Sequence, residues 1–197
     1  MHLSIKPTYT NEELIEGCKR GERKFEELLY HTFASKMFAV CMRYSNEYAN
    51  AEDLLQEGFV KVYKNLEKFR GEGSFEGWIR RIFVNNSIEH YRRKSNLYVV
   101  QETEALSYEY YDDNALQKLM KDDLMKVIQS LSSGYRTIFN LYVIEGYSHR
   151  EIGDMLGITE GTSKSQLARA RYLLQKKIAD IMPKLVPNHI AEEGAAQ

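Results

Sequence analysis

The near absence of proline is the feature that most constrains the fold of this sequence. Its 197 residues include only Pro7, Pro183 and Pro187. Proline lacks a backbone N–H and disrupts a helix from within, so no residue from 8 to 182 is barred from a helix on this account. Apolar residues recur at helical spacing through much of that span. The sequence therefore predicts an all-α protein.

Four helices are predicted in the first part of the chain. Thr10 and Glu13 form a capping-box pattern that opens the first helix. An apolar stripe at steps of four and three residues indicates the third helix, which ends at the glycine-rich break 71–74. The members of this stripe are Leu55, Phe59, Val62, Leu66 and Phe69. Ser74 is expected to cap the fourth helix. Trp78 shares a face with Ile82, so we interpret it as core rather than as a platform for a base.

Helical periodicity also marks the second part of the chain. An apolar stripe from Leu124 to Leu131 predicts a helix that stops at residues 132–134, and helical spacing resumes at Ile138. These signals divide the chain into a first helical domain at residues 8–97 and a second at residues 122–183. We expect a linker at 98–121 and a disordered tail at 184–197.

A helix-turn-helix unit is predicted within the second domain. Ser148 and Glu151 form another capping box, and the short helix behind it ends at Gly157. Thr159 is then placed to cap a longer basic helix that we expect to end near Ile181, before the second proline. A short helix, a glycine-containing turn and a longer helix are the parts of this motif. Gly153 is expected where the two helices come closest.

Charge is distributed unevenly although the net charge is only -1, from 27 Lys and Arg against 28 Asp and Glu. Residues 76–98 carry five basic side chains against two acidic ones, and residues 160–178 carry five against one. Between them, residues 101–123 carry seven acids against two lysines. This pattern suggests two surfaces that face a polyanion, joined by a solvated acidic linker.

The longer basic helix has side chains suited to DNA. In a helix-turn-helix the second helix enters the major groove, where Gln pairs with adenine and Lys with guanine, while Ser, Thr and Arg bind phosphates. The candidate contacts to DNA are Thr162, Ser163, Lys164, Ser165, Gln166, Arg169 and Arg171. The alternative is a solvated basic helix in an ordinary bundle, but that alternative does not predict the capped short helix and glycine turn just before it.

The two parts together resemble the extracytoplasmic-function, or group 4, sigma factors of bacterial RNA polymerase, similar to those of Bacteroidetes. Residues 53–59, 69–71, 74–79 and 82–85 look like sigma regions 2.2 to 2.4, and residues 131–132, 147–153 and 161–171 look like region 4. The resemblance covers almost the whole chain. It departs from the family pattern at Ser163, where a small aliphatic residue is usual, and at Gln166, where Arg is common.

The resemblance implies a role for each surface. Asp53, Gln56 and Glu57 would bind the clamp helices of the polymerase β′ subunit, and the region 4 domain would sit on the β-subunit flap and read the -35 element. A pocket near the glycine break would accept a base flipped from the -10 element, with Phe69 stacking on it and Asn85 pairing with its edge. The residues implied at the -10 element are Lys61, Asn65, Phe69, Arg70, Asn85, Arg92 and Arg93.

The function predicted is that of a promoter-specificity subunit, with an anti-sigma factor as a further partner. A free-standing, dimeric helix-turn-helix regulator is the alternative, but such a protein needs only one surface that faces DNA. An enzyme ranks last, because no phosphate-binding glycine loop, HExxH or catalytic constellation is found. No cofactor or metal is expected, and Cys18 and Cys41 are interpreted as buried, reduced thiols. With no secretory signal and no stretch of roughly 18–20 apolar residues, a cytoplasmic protein without membrane insertion is expected.

Overall fold

The computed structural model describes residues 9–95 and 121–185, which fall into two compact units. All regular structure within these two ranges is helical. Nearly all of the predicted linker at 98–121 and of the predicted tail at 184–197 lies outside the described residues. The two units are described separately below.

The first unit is built from four α-helices. In chain order they are α1 (Asn11–Lys19), α2 (Arg23–Tyr44), α3 (Tyr48–Asn65), which is followed by a 3₁₀ turn at Leu66–Lys68, and α4 (Phe75–Ser95). The capping box at the start of α1 is confirmed, because Glu13 N donates to Thr10 Oγ1 and Thr10 N donates to the Glu13 carboxylate. Ser74 also caps α4 as predicted, with Gly77 N donating to its Oγ at 3.3 Å. Local sequence signals therefore fix where α1 and α4 begin.

The core of the first unit lies among α2, α3 and α4, which pack against one another. Four members of the predicted α3 stripe, from Leu55 to Leu66, are buried, while Phe69 at its end is half-buried. Helices α3 and α4 approach closely at Gly58, where an added Cβ would lie 2.2 Å from the Phe83 ring of α4. Asn86 of α4 is buried nearby and donates from Nδ2 to the Leu54 carbonyl. Glycine at 58 is therefore a packing requirement, since a side chain there would displace an aromatic ring.

Both cysteines belong to this first unit. Cys18 is 8% exposed and Cys41 is fully buried, and both are free thiols, as predicted. Burial raises the pKa of Cys18 to about 11 and that of Cys41 to about 12. A buried thiol loses the solvation that would stabilise its thiolate, so both side chains stay protonated at neutral pH.

Within residues 121–185, the second unit contains four α-helices and one π-helical segment. In chain order they are α5 (Lys121–Gln129), α6 (Ser133–Phe139), the π segment (Asn140–Ile144), α7 (His149–Leu156) and α8 (Glu160–Leu185). Arg136 of α6 is buried and donates from Nη1 to the carbonyls of Gln129 and Leu131. Burial lowers the pKa of this guanidinium. Arg136 thus satisfies carbonyls at the end of α5 that no helical N–H reaches.

Three details differ from the sequence prediction. Leu131 is buried as expected, but it lies after the end of α5. The π segment was not predicted, because hydrophobic periodicity does not reveal one extra residue in a turn; Glu145 N donates to Asn140 O, five residues back. Finally, α8 continues past Pro183 to Leu185 instead of ending near Ile181. A proline in the last turn interrupts little, since few residues follow it in the helix.

Candidate polymerase and nucleic-acid interfaces

The three side chains predicted to bind polymerase share one exposed strip of α3. Asp53, Gln56 and Glu57 are all exposed, whereas Leu54 and Leu55 beside them are buried. Residues spaced by three and four positions lie on one face of a helix. The strip is therefore accessible to a partner without any change in the packing of α3.

Val60 extends this strip and was not predicted. It follows Asp53 by seven positions, which is two turns, and it is 49% exposed. An exposed valine beside three polar side chains gives the strip an apolar element of the kind found at the centre of protein interfaces. The sequence does contain a signal for Val60, because this apolar residue is in helical register with Asp53 and Gln56 and not with the buried stripe.

Lys61 and Asn65 lie one turn apart near the end of α3 and are half-buried. The Lys61 Nζ lies 2.6 Å from the carboxylate of Glu89 on α4, and Arg93 Nη2 lies 3.9 Å from the same carboxylate. Glu89 therefore brings together two cations that were predicted at the -10 element. The Asn65 amide instead donates to the Lys61 carbonyl and accepts from Lys68, so it is engaged with its own helix.

An aromatic cluster surrounds the loop between the 3₁₀ turn and α4. The Phe69 ring lies 5.0 Å from that of Phe75 and 5.4 Å from that of Trp78, measured between ring centroids. Phe75 is buried, whereas Trp78, which was interpreted as core, packs on Phe69 and Phe75 but is only half-buried. The loop itself turns through Gly71 and Gly73, both at positive φ, and leaves one side of the cluster open to solvent.

The neighbouring asparagines of α4 differ in their environment. Asn86 is buried and bonded to the core, whereas Asn85 is exposed. Asn85 follows Trp78 by two turns on the same face, which separates them by about 10 Å along the axis. Arg70 and Arg92 are exposed as well. The aromatic cluster and the exposed amide are therefore distinct parts of this surface, rather than a group in direct contact.

The helix-turn-helix of the second unit is formed as predicted. Ser148 and Glu151 make the full capping box at α7, and Gly157 ends that helix with a φ of 70°. Thr162 N donates to Thr159 Oγ1 at 3.1 Å, which caps α8. Gly153 does allow a close approach, to the turn and to the first residue of α8, because an added Cβ would lie 2.8 Å from the Ile158 carbonyl oxygen and 3.7 Å from Glu160 N.

The predicted DNA-contacting side chains of α8 divide by exposure. Lys164, Ser165 and Arg171 are exposed, whereas Thr162, Gln166 and Arg169 are half-buried. Lys164 Nζ lies 2.6 Å from the carboxylate of Glu160, one turn earlier, and this hydrogen bond lowers the pKa of Glu160. The Arg169 guanidinium lies over the ring of Tyr172, 5.5 Å from its centroid.

The prediction that Ser163 contacts DNA is wrong. Its side chain is 0% exposed, so its hydroxyl does not reach the surface that would meet DNA. The reason is its register, since Ser163 precedes Leu167 by four positions and Ala170 by seven and shares their buried face. The Ser163 Oγ is hydrogen-bonded instead to His149 Nδ1 on α7, at 2.9 Å.

His149 and Tyr142 were not predicted as site residues. Their rings stack with centroids 4.4 Å apart and planes 22° apart, and the Arg171 guanidinium lies 5.9 Å from the Tyr142 centroid. Burial lowers the pKa of His149, and the positive charge of Lys164 lowers it further. His149 is therefore a neutral aromatic ring at neutral pH. No local motif reveals this group, because its members come from three separate segments.

Two searches of the described ranges found nothing further. No group of His, Cys, Asp and Glu side chains there has the geometry of a metal site. None of the helices in residues 9–95 and 121–185 is both long and apolar enough to cross a membrane.

Comparison with known proteins finds one match in each of the two units. Residues 29–96 match the family model for sigma-70 region 2, and residues 121–174 match that for sigma-70 region 4. The order and spacing of these matches define a sigma factor, a subunit that directs RNA polymerase to promoters.

Individual relatives give the same result. The chain is 30% identical over 185 residues to the ECF RNA polymerase sigma factor SigE of Mycolicibacterium smegmatis, a match that covers 89% of this chain and 70% of the relative. It is 27% identical to the ECF RNA polymerase sigma-E factor of Haemophilus influenzae, with 88% and 97% covered. This chain belongs to the extracytoplasmic-function group of the sigma-70 family.

Among solved structures, a match is found to the sigma factor RpoE of Bartonella quintana, in a complex with the anti-sigma factor NepR. It has 21% sequence identity and a TM-score of 0.47, and it covers 79% of this chain and 96% of that one.

Proposed function

We propose that this sigma factor divides promoter recognition between its two units. The first unit, assigned to residues 8–97, binds core polymerase and the -10 element. The second, assigned to residues 122–183, reads the -35 element. The observation that carries this proposal is the exposed strip of Asp53, Gln56 and Glu57 on a helix whose opposite face is core. Polar side chains that take no part in packing are available for a partner.

At the -10 element, the proposed role of the first unit is to bind a base that has left the duplex. Unstacking a base costs a few kcal/mol, so melting needs a site that repays this cost. The half-buried rings of Phe69 and Trp78 offer a stacking face, and exposed Asn85 offers hydrogen bonds to a base edge. Positive charge for the phosphates comes from four side chains, which are Arg70, Arg92 and the two cations beside Glu89, Lys61 and Arg93.

At the -35 element, α8 enters the major groove with its first turns. Lys164 and Arg171 are exposed and suited to phosphates or guanine, and half-buried Gln166 is suited to adenine. Ser163 has no direct contact in this proposal.

The proposed polymerase contacts are the β′ clamp helices for the α3 strip and the β flap for the second unit. An anti-sigma factor is a further proposed partner, as the family resemblance implies. We propose that the protein has no catalytic activity of its own and needs no cofactor, because the polymerase performs the chemistry. Its place of action is then the cytoplasm, where the polymerase works.

The experiment is assembly with bacterial core polymerase, followed by transcription from a cognate promoter. Replacing Asp53, Gln56 and Glu57 together with Ala should weaken the complex at least tenfold and leave the helical content unchanged. The matched control replaces Arg23 and Glu27, an exposed ion pair on α2, and should assemble normally. Full assembly by the triple variant would refute the assignment of the strip.

The same experiment tests the alternative function. A free-standing regulator would bind promoter DNA as a dimer without polymerase. The sigma function requires no such dimer, and it requires polymerase for opening the promoter. Size-exclusion chromatography with light scattering separates these outcomes.

A further inference from the structure

A continuous series of side-chain contacts in the second unit begins and ends on α8. Ser163 of α8 is bonded to His149 of α7, and His149 stacks on Tyr142 of the π segment. Tyr142 in turn lies under Arg171 of α8. The helix proposed to read DNA is therefore held at two points, eight residues apart, by side chains of two other segments.

The first point of attachment is a buried hydrogen bond. A hydroxyl removed from water is stabilised only if it keeps a partner, and the Ser163 hydroxyl is fully buried. Its partner ring is fixed in turn, because His149 is the first residue of a capped helix and stacks on an aromatic ring. The bond therefore opposes rotation of α8 about its own axis.

The second point of attachment depends on the π segment. The extra residue in this turn, closed by the bond from Glu145 N to Asn140 O, changes the direction of the residues within it. Tyr142 is half-buried there, stacked on the His149 ring and with the Arg171 guanidinium 5.9 Å from its centroid. The Arg171 side chain is thus directed by an aromatic ring while remaining exposed.

We propose that Ser163, His149 and Tyr142 are positioning residues that set which base pairs of the -35 element α8 reads. A rotation of about 20° moves a side-chain tip at a radius of about 5–6 Å by about 2 Å. Hydrogen bonds to base edges tolerate only a few tenths of an ångström. A small rotation of α8 therefore changes base preference as well as affinity. This inference rests on the proposed function of α8.

The test measures transcription by the holoenzyme, assembled from the full chain and core polymerase, on promoters that vary each -35 base pair singly with a constant -10 element. Ser163→Ala removes the hydroxyl, and His149→Phe keeps a ring for the stack but removes the bond. Each should change the relative preference by about fivefold at one or more positions, which is the effect expected for one hydrogen bond. The matched control is Ser130→Ala, which also removes a bonded hydroxyl from this unit and should keep the wild-type order.

Two further variants separate positioning from general loss of stability. Tyr142→Leu removes the ring that stacks on His149 and should shift the order of promoters, whereas its control Tyr142→Phe keeps that ring and should keep the wild-type order. The double variant Ser163→Ala with His149→Phe should shift preference no more than either single variant, since both break one contact. If Ser163→Ala fails to fold, as judged by circular dichroism, His149→Phe tests the same hydrogen bond.

Two results would overturn the inference: a uniform loss on all promoters with the order preserved, or a shift by Tyr142→Phe as large as that by Tyr142→Leu. These differ from failure of the proposed function, in which the wild-type protein itself would direct no promoter-dependent transcription.

Discussion

The two surfaces proposed to meet promoter DNA are built in different ways. In the first unit, the aromatic side chains surround a loop with two glycines at positive φ, and its cations are gathered by one carboxylate. In the second, the side chains project from a helix that is capped by Thr159 and bonded to α7 through a buried hydroxyl. One surface borders a loop, and the other lies on a helix held by bonds to its neighbours.

This difference matches the two forms of DNA that a sigma factor meets. Duplex DNA has a regular groove, so a reader gains affinity by being held in one orientation before binding. A base that leaves the helix must be admitted to a site and then covered, which needs a loop that can move. The comparison therefore sets a loop with two glycines in the first unit against a capped and side-chain-bonded helix in the second.

The largest expected effect comes from filling the close contact in the first unit. Gly58→Ala places a Cβ 2.2 Å from the Phe83 ring, and overpacking of this kind costs about 3 kcal/mol. Amide hydrogen exchange, measured as the temperature is raised, should show that residues 9–95 lose protection from exchange while residues 121–185 keep theirs. Equal loss in both ranges would contradict the independence of the two units.

Gly77→Ala is the matched control within the same unit. A Cβ there meets only Ser74, at 3.6 Å, and alanine favours a helix over glycine by up to about 1 kcal/mol. The same substitution should therefore stabilise the protein slightly at position 77. Destabilisation at both positions would show that the effect does not come from packing.

The adjacent asparagines of α4 separate function from stability. Asn85→Ala should reduce open-complex formation about tenfold, leave polymerase binding unchanged, and be partly rescued by a pre-melted -10 element, because an exposed amide contributes to a base site and not to the core. Permanganate footprinting measures the opening. Normal opening of duplex promoters by this variant would refute the proposed -10 pocket.

Asn86→Ala provides the opposite control for Asn85. Loss of its buried bond to the Leu54 carbonyl should lower the free energy of unfolding by about 1–3 kcal/mol. Its effect on opening should follow the fraction of folded protein.

A smaller effect is expected on the -35 side. Lys164→Ala should lower the dependence of -35 binding on salt by about 0.9 units of slope, which is the loss of one phosphate contact. Lys176→Ala, also exposed but three turns further along α8, should leave the slope unchanged. Anisotropy titrations from low to high salt measure both. Equal slopes for the wild-type protein and the Lys164 variant would show that Lys164 does not contact a phosphate.

The smallest effect is expected from releasing the cations in the first unit. Glu89→Gln frees Lys61 and Arg93 and should raise the affinity for single-stranded -10 DNA. The gain should correspond to less than about 1 kcal/mol, because exposed ion pairs are weak. Glu67→Gln, on the 3₁₀ turn, serves as the control for charge alone. The same gain in both variants would show a general effect of net charge.

The sequence predicted what is local and missed what is tertiary. Helix starts at Thr10, Ser74, Ser148 and Thr159 follow from contacts within four residues, so their signals are complete in the sequence. The bond from Ser163 to His149 joins residues fourteen positions apart, and the sequence showed Ser163 only as a polar residue in a basic helix. Two signs of its burial were available: its departure from the small aliphatic residue usual in the family, and its helical register with Leu167 and Ala170.

The position of the two cysteines has a practical consequence. A thiol reacts as its thiolate, so Cys18 and Cys41, both buried with raised pKa values, become reactive only when the helices around them open. The rest of the chain has no thiol. The rate of alkylation by a small reagent therefore measures transient opening of the first unit alone. The wild-type chain therefore needs no engineered cysteine for a measurement of how often the first unit exposes its core.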